Sequence, residues 1–591
     1  MWRNQVVAIQ YLYQKYGHDH SAADLPTSES LRAAFGAQFD SRRWQQWVTL
    51  AAAVDGFPRH LGIHSGGLVI SRAPLFRRIP IEPASMEDRT VVQWDKDSLE
   101  LAGWMKLDVL GLRMLAAISD ACDIIAGQTG QRPDLPALRL DDPAVYAMIR
   151  RGETIGVFQV ESRAQASLIP RFKTRSFADL TVQIALIRPG PVQANMVHPY
   201  LRRREGTERP SYLHPKLKTA LHDSLGIILF QEDVLKVARD LAGFTPGEGE
   251  LLRRALSHKR AGEQIERFRE KFIEGAQHQG VSETIAKQVF AQLKAFGGYS
   301  FSKAHAAAFA VLTYWSAWLR CYHPLAFFAG LLRHQPMGFY PAHTVVADAQ
   351  RFGLQFLPVD LRYSQSQVTV EGDAIRLGLD YVHGLGAEHI ETIETERQRR
   401  PFRSLADLVK RTSLERRQVE ALVQAGGLDY WGERRQLLWD IAEAYRLARR
   451  PAELPLRISD EQPNLPPMDA TARQAAAFAA TGVSLDGHLT TSRRDAFTRA
   501  GARPIGELPR LRQGQSVKIG GLIVARQHPP TAKGFAFLAI EDQDGIVNVI
   551  VAPDVYAQYR EAMRHPFVIV EGVFQRDHGA INVLAKKVVE V

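Results

Sequence analysis

The hydrophobic period changes along this chain, and that change restricts its possible folds more than any one motif does. From about residue 120 to 350, apolar residues recur at helical spacing, punctuated by Arg188-Pro189-Gly190-Pro191 and Thr245-Pro246-Gly247. This pattern predicts a large helical domain. Near the end, β-rich runs at 516–525, 535–541, 546–551, 567–573 and 580–585 are separated by turn residues. Between these regions, 375–429 reads as two short helical units closing on His383-Gly384-Leu385-Gly386 and Gln424-Ala425-Gly426-Gly427. A Pro-rich polar stretch at 451–467 reads as a linker. The first hundred or so residues are irregular, with a helix-like stretch at 6–16 and a β-like run Gly67-Leu68-Val69-Ile70-Ser71, the pieces of a mixed α/β unit.

At 591 residues the chain is too long for one core, and several domains are expected. Lys plus Arg total 74 against 64 Asp plus Glu, a formal charge of +10, which favours a polyanionic partner such as nucleic acid. A merely basic soluble protein has the same balance. The five β runs suit a small barrel of the oligonucleotide-binding (OB) class, and a β-sandwich or an unrelated small barrel answers to the same pattern. Cys122 and Cys321 cannot supply a four-ligand zinc site or a disulfide framework. The start, Met1-Trp2-Arg3-Asn4-Gln5, lacks a basic segment followed by an apolar one, and no apolar run approaches a membrane span. The expectation is a cytoplasmic protein with no membrane partner.

The sharpest local feature is Lys106-Leu107-Asp108-Val109-Leu110-Gly111-Leu112, one carboxylate in an apolar run. Such an acid is expensive to bury unless paired or bound to a cation, whereas an Asp at a strand end capping the next helix is unremarkable. Both readings stand on spacing alone. Several further strings occur in order: Pro58-Arg59-His60, Gly62-Ile63-His64-Ser65-Gly66-Gly67, Gly156-Val157-Phe158-Gln159-Val160-Glu161-Ser162, Arg188-Pro189-Gly190-Pro191, Phe230-Gln231-Glu232, Leu252-Arg253-Arg254-Ala255 and Tyr299-Ser300-Phe301-Ser302-Lys303-Ala304-His305-Ala306-Ala307-Ala308. Together these strings closely resemble the bacterial C-family DNA polymerases, the group of the polymerase III alpha subunit, over nearly the whole chain.

The resemblance implies a multidomain α+β protein. Its parts would be a partial mixed α/β palm and thumb remnant at 1–125, a large helical fingers domain at 126–355 and a helix-hairpin-helix module at 356–450. A linker with a small helical segment at 451–510 and an OB-type β-barrel at 511–591 would follow. It implies template-directed nucleotidyl transfer with two Mg²⁺ ions held by three palm carboxylates, of which Asp108 would be one. Lys106, Arg253 and Arg254 resemble residues that hold the phosphates of the deoxynucleoside triphosphate, and Arg188, Lys303 and His305 are further candidates. Solvated helix faces or structural ion pairs are the alternative for each. Ser302 departs from the asparagine common in the replicative group. The family's other two metal ligands precede a segment like Arg3-Asn4-Gln5-Val6-Val7-Ala8-Ile9-Gln10-Tyr11, so the resemblance implies a truncated chain, incomplete or inactive by itself. Asp95-Lys96-Asp97 has the spacing of a substitute pair but reads better as a solvated turn.

Gly384 and Gly386 fall in the resembling hairpin, where glycine lets backbone N–H groups approach a phosphate. In the barrel, Arg526, Lys533, Phe535 and Phe537 could present charge and stacking faces to a strand, or the rings could simply be core. The runs Gln335-Pro336-Met337-Gly338-Phe339-Tyr340 and His528-Pro529-Pro530-Thr531-Ala532 look more like the error-prone, lesion-bypass branch than the replicative one. That branch implies a template-primer, a sliding clamp reached through a Y-family-like accessory protein, and a recombinase-like accessory protein as partners. Gln436-Leu437-Leu438-Trp439 superficially resembles a clamp-binding peptide but reads better as a buried amphipathic turn. A catalytically dead DNA-binding remnant and a fragment of the replicative alpha subunit are the rival readings.

Overall fold

The computed structural model describes residues 41–54, 63–64, 66–187, 197–257, 262–297, 301–448, 463, 465–529, 532, 534–577 and 579–591. The helix-like stretch expected at 6–16 and the candidates Arg188 and Lys533 lie outside the described residues. The chain divides into two compact units, 1–111 and 112–591.

In the first unit the helix Ser41–Val54 precedes four short strands: β1 Gly67–Val69, β2 Ile81–Pro83, β3 Thr90–Val92 and β4 Lys106–Asp108. β1 pairs antiparallel with β4, and β2 with β3. Three-residue strands cover little surface, so Leu68, Ile70, Met105, Val109 and Leu110 stay exposed while Ile79 and Leu99 are buried. The helix Lys96–Leu101 starts where Asp95 accepts the Ser98 N–H at 2.8 Å. The acidic run is therefore a capped helix start rather than the expected solvated turn.

The second unit opens with the helical body, from the helix Arg113–Thr129 to the helix Ala342–Arg351. Local chemistry places the helix ends. Ser162, Ser176 and Ser302 are N-caps whose hydroxyls accept backbone N–H groups of the first turn, and Gly130 and Gly243 close helices in the left-handed conformation. Three separate apolar cores result. One joins the helices Arg113–Thr129, Lys303–Tyr322 and Pro324–Arg333 to the region beyond residue 340; a second is closed by Val237, Leu241, Phe272, Phe290 and Phe296, and a third by Phe172, Leu186, Tyr200 and Phe230. At Gly330 a Cβ would stand 2.5 Å from the Ala117 carbonyl oxygen. Glycine there lets the helices Pro324–Arg333 and Arg113–Thr129 pack backbone to backbone.

A three-stranded sheet in the order β5-β7-β6 follows, built from β5 Gln355–Leu357, β6 Thr369–Glu371 and β7 Ala374–Arg376. The helices Ala387–Arg399, Leu405–Thr412, Arg416–Gln424 and Arg434–Ala448 make the hairpin module. In the last of these Leu437 is buried but Trp439 is 61% exposed, so the turn expected to be buried is only half so.

The five β runs form β8 Ser516–Gln527, β9 Ala536–Asp542, β10 Gly545–Val551, β11 Phe567–Asp577 and β12 Ala580–Glu590. They close into a barrel in the order β10-β12-β11-β8-β9, with β10 and β12 parallel and the other pairs antiparallel. Closure removes the exposed edges of an open sheet. Val517, Ile519, Leu538, Ile540, Val549, Val570 and Phe574 fill the interior. The five-stranded barrel expected from the alternating pattern is what forms.

Candidate functional site

Three of the candidate nucleotide-binding residues gather around the start of the helix Gln231–Ala242. Arg253, on the helix Pro246–Ser257, donates from Nη1 to Gln231 Oε1 at 3.2 Å. Lys303 begins the helix Lys303–Tyr322, and its Nζ lies 5.8 Å over the Phe230 ring. Its ammonium also meets Asp223 at 3.0 Å and holds that carboxyl below the usual carboxylate range. Two residues on, the exposed His305 ring packs against Phe301 and Phe309, with centroids 4.9 and 4.1 Å away. The corner thus offers cations and aromatic edges from helices about fifty residues apart in sequence, the mix that suits a phosphorylated planar ligand.

Both candidate arginines already share a carboxylate. Glu250 accepts two bonds from Arg253, at 2.7 and 2.8 Å, and one from Arg254 at 2.9 Å. The two guanidiniums hold its carboxyl down at about 2. Arg254 is exposed, whereas Arg253 is half-buried and oriented by Glu250 and Gln231 together. The ion-pair alternative is therefore realised geometrically for both. Glu250 stands three and four residues before the arginines, a helical spacing that was readable in the sequence. The Asp223–Lys303 pair, eighty residues apart, carried no such signal.

Asp233 supports the corner from below. It is 4% exposed, and its Oδ2 accepts the N–H groups of Leu229 and Phe230 at 3.0 and 2.9 Å. Burial pushes its carboxyl up to about 6 from an ordinary 3.8. The native state therefore binds its proton more tightly than the unfolded chain does. Stability from this group is complete below pH 3.8 and is lost as pH rises through about 6, a total of up to about 3 kcal/mol. Asp233→Asn retains a neutral acceptor and is expected to flatten that slope, gaining on the wild type at pH 7.5 and matching it at pH 4. Urea unfolding at the two pH values checks this, and equal slopes in the two proteins would contradict it.

In the first unit Asp108 ends β4 opposite Gly67 of β1, with Val109 N–H donating to Gly66 O at 2.7 Å. Lys106 donates to the Asp108 carboxylate, and His64 Nδ1 lies 4.0 Å from it. The Lys106 hydrogen bond, with the charges of Lys106, His64 and Lys96, holds Asp108 below the usual carboxylate range. Asp108 is half exposed and caps no helix: the N-cap of the helix Arg113–Thr129 is Leu112, with no side-chain cap bond. The capping reading is corrected; what stands is an ionised carboxylate at a strand end, flanked by an ammonium.

Gly384 takes φ +88° at the turn before the helix Ala387–Arg399, for which Gly386 is the N-cap. Only glycine adopts that turn without strain, and its carbonyl accepts from Gln418 Nε2 at 2.9 Å. In the barrel, Arg526 is exposed and donates to the Arg564 and His565 carbonyls at 3.0 and 3.1 Å. Phe535 is 36% exposed, and Phe537 is half-buried opposite Ile550.

A helical body, a module of short helices and a closed five-stranded barrel, in that order, define the class as a multidomain protein of mixed α and β structure. Three family models match: the bacterial DNA polymerase III alpha NTPase domain at residues 26–111, the bacterial DNA polymerase III alpha subunit finger domain at 114–280, and a helix-hairpin-helix motif at 353–438. The chain is 41% identical over 599 residues to an error-prone DNA polymerase of Corynebacterium glutamicum, covering 98% of this chain and 56% of the relative. It is 42% identical to one of Mycobacterium bovis with the same coverages, and 41% identical to one of Anaeromyxobacter dehalogenans over 92% of this chain and 50% of the relative. The chain belongs to the bacterial C-family DNA polymerases and is similar to their error-prone branch. It spans about half the length of these curated relatives. Among solved structures, an asparaginyl-tRNA synthetase from Pyrococcus horikoshii aligns with a TM-score of 0.12, 27% identical over 13% of this chain and 19% of that one, which supports no argument. Among the described residues no helix is long and apolar enough to cross a membrane.

Proposed function

We propose that this chain serves template-directed DNA synthesis as part of an error-prone, lesion-bypass polymerase. The observation that carries the reading is the likeness to error-prone DNA polymerases along 98% of the chain at about 41% identity. In this reading 1–125 is palm and thumb, 126–355 fingers, 356–450 a hairpin module, 451–510 a linker with a small helical segment and 511–591 an OB-type barrel. Arg253, Arg254, Lys303 and His305 hold the triphosphate and flank the base, and Lys106 and Arg188 are phosphate-binding candidates by resemblance alone. Hairpin backbone at Gly384 and Gly386 grips DNA phosphates, and Arg526, Lys533 and Phe535 receive a single strand.

Divalent metal use is general to such polymerases, and Asp108 offers one ionised ligand to Mg²⁺. A catalytic pair of ions needs several converging carboxylates. Among the described residues no group of three or more His, Cys, Asp or Glu could hold a metal ion. The described residues do not by themselves make that site. What the chain's own groups supply is charge and orientation: Arg253 is held rigidly by Glu250 and Gln231, so little ordering remains to be done when a polyphosphate arrives. The sliding clamp, reached through a Y-family-like protein, and a recombinase-like protein complete the proposed partners.

Primer extension with Mg²⁺ or Mn²⁺, scored beside template-primer binding for the chain and Asp108→Asn, tests the reading. Template-primer binding without extension is the result expected of a chain with an incomplete carboxylate set, whereas extension abolished by Asp108→Asn, with binding within about twofold of the unaltered chain, would overturn the truncated reading and make Asp108 a working metal ligand. Binding without extension in either protein supports the DNA-holding parts alone. Loss of the proposal follows if neither protein binds a template-primer.

A further inference from the structure

Arg253 and Lys303 reach the same corner from different helices, and the tripeptide Phe230-Gln231-Glu232 touches both. Gln231 donates its backbone N–H to the Phe301 carbonyl at 2.8 Å and accepts from Arg253 through its side chain at 3.2 Å. Glu232 does more. Its two oxygens accept the Lys303 N–H at 2.9 and 3.1 Å, and Oε1 also accepts the Ser302 hydroxyl at 3.1 Å. That hydroxyl in turn caps the His305 N–H at 3.5 Å. A carboxylate thus sits on the positive end of the helix Lys303–Tyr322, where anions are favoured, and fixes the rotation of its first turn.

This has a consequence for ligand binding. Two of the first three N–H groups of that helix are already taken, that of Lys303 by Glu232 and that of His305 by the Ser302 hydroxyl, so the side chains the helix projects are its main offer to a phosphate. Their direction depends on how that first turn is seated. We propose that Glu232 is a positioning residue for a polyphosphate ligand. It acts through Ser302, Lys303 and His305, while its neighbour Gln231 fixes Arg253 in the same frame. The inference rests on reading this corner as the nucleotide site. A role confined to holding helices together would affect every property of the chain alike; a positioning role selects for the phosphates.

The test is equilibrium binding of Mg-dATP, dAMP and a template-primer to the full chain and to Glu232→Ala, Glu232→Gln and Arg253→Ala. Glu232→Ala is expected to weaken dATP by about tenfold or more, the scale of lost charge-assisted hydrogen bonds. Its affinities for dAMP and template-primer should stay within about twofold, and Glu232→Gln, which keeps a carbonyl acceptor for the Lys303 N–H, should recover most of the loss. Equal weakening of all three ligands, or failure of Glu232→Gln to recover dATP binding, overturns the positioning role. So does unchanged dATP binding in Glu232→Ala when Arg253→Ala is weakened. If Arg253→Ala also binds dATP normally, or the unaltered chain does not bind it, the corner is not the nucleotide site and the inference falls with that reading.

Discussion

Arg351→Ala is expected to lower the unfolding free energy by about 3–5 kcal/mol, the range for stripping the partner from a buried charge. Glu541, near the end of β9, is fully buried against the helix Ala342–Arg351. Its Oε1 accepts from both terminal nitrogens of Arg351 at 3.0 and 3.1 Å, and its Oε2 accepts from Thr344 at 2.9 Å. His488 lies 3.7 Å away. Without the guanidinium, Thr344 is left as the close donor to a carboxylate that water does not reach. The barrel's seat on the helical body is then weakened. Urea unfolding reads the loss, and limited proteolysis should release a barrel-sized fragment sooner. Replacing both partners, Arg351→Met with Glu541→Leu, should recover much of the stability, because the desolvation penalty leaves with the charge. A loss under about 1 kcal/mol would mean that Glu541 is relieved in some other way.

The second large effect is expected at Arg320, whose side chain is fully buried. It donates to the Ile155 carbonyl and to Asp348, both at 2.8 Å, and its guanidinium lies 5.0 and 4.4 Å from the Phe328 and Phe352 ring centres. Arg320→Ala empties the space between two rings and leaves a buried carbonyl and carboxylate short of a donor, a loss of about 3–5 kcal/mol. Arg320→Lys keeps the charge but not the planar fork and should recover less than half, as judged by thermal and urea unfolding of the three proteins. Asp348 also lies 3.6 Å from Arg351, so the two arginine sites share a carboxylate and their losses should not add. Strict additivity in Arg320→Ala/Arg351→Ala would argue against that coupling.

How much of this was legible in advance varied with the range of the interaction. The β-rich runs of 516–585, separated by turn residues, named all five strands, because strand-forming side chains and turn residues mark strand and turn locally. Ser162, Ser176 and Ser302 end helices through bonds to residues three positions away, again within reach of the sequence. The readings of Asp108 and Asp95 were displaced because strand, cap and turn compete within a few residues, and pairing with β1 decided the first of them. Trp439 lies on a helix whose apolar spacing promised burial, and only the packing of its neighbours left it outside.

The chemistry of the corner formed by Arg253, Lys303 and His305 divides in the same way. Arg253, Arg254, Lys303 and His305 could be nominated from the sequence because their strings resemble those of a known family. Two of their anchors could not: Glu232 and Asp223 are ordinary acids until Lys303, 71 and 80 residues further on, is brought to within about 3 Å. The sequence by itself determined the hydrophobic periods, the helix ends and the set of residues available for phosphate and strand contact, since those depend on spacing within a turn or two of chain. The tertiary structure alone decided which charges are buried and with whom, as at Glu541 with Arg351 and Arg320 with Asp348. Burial and pairing depend on distances across the fold, and no local pattern records them.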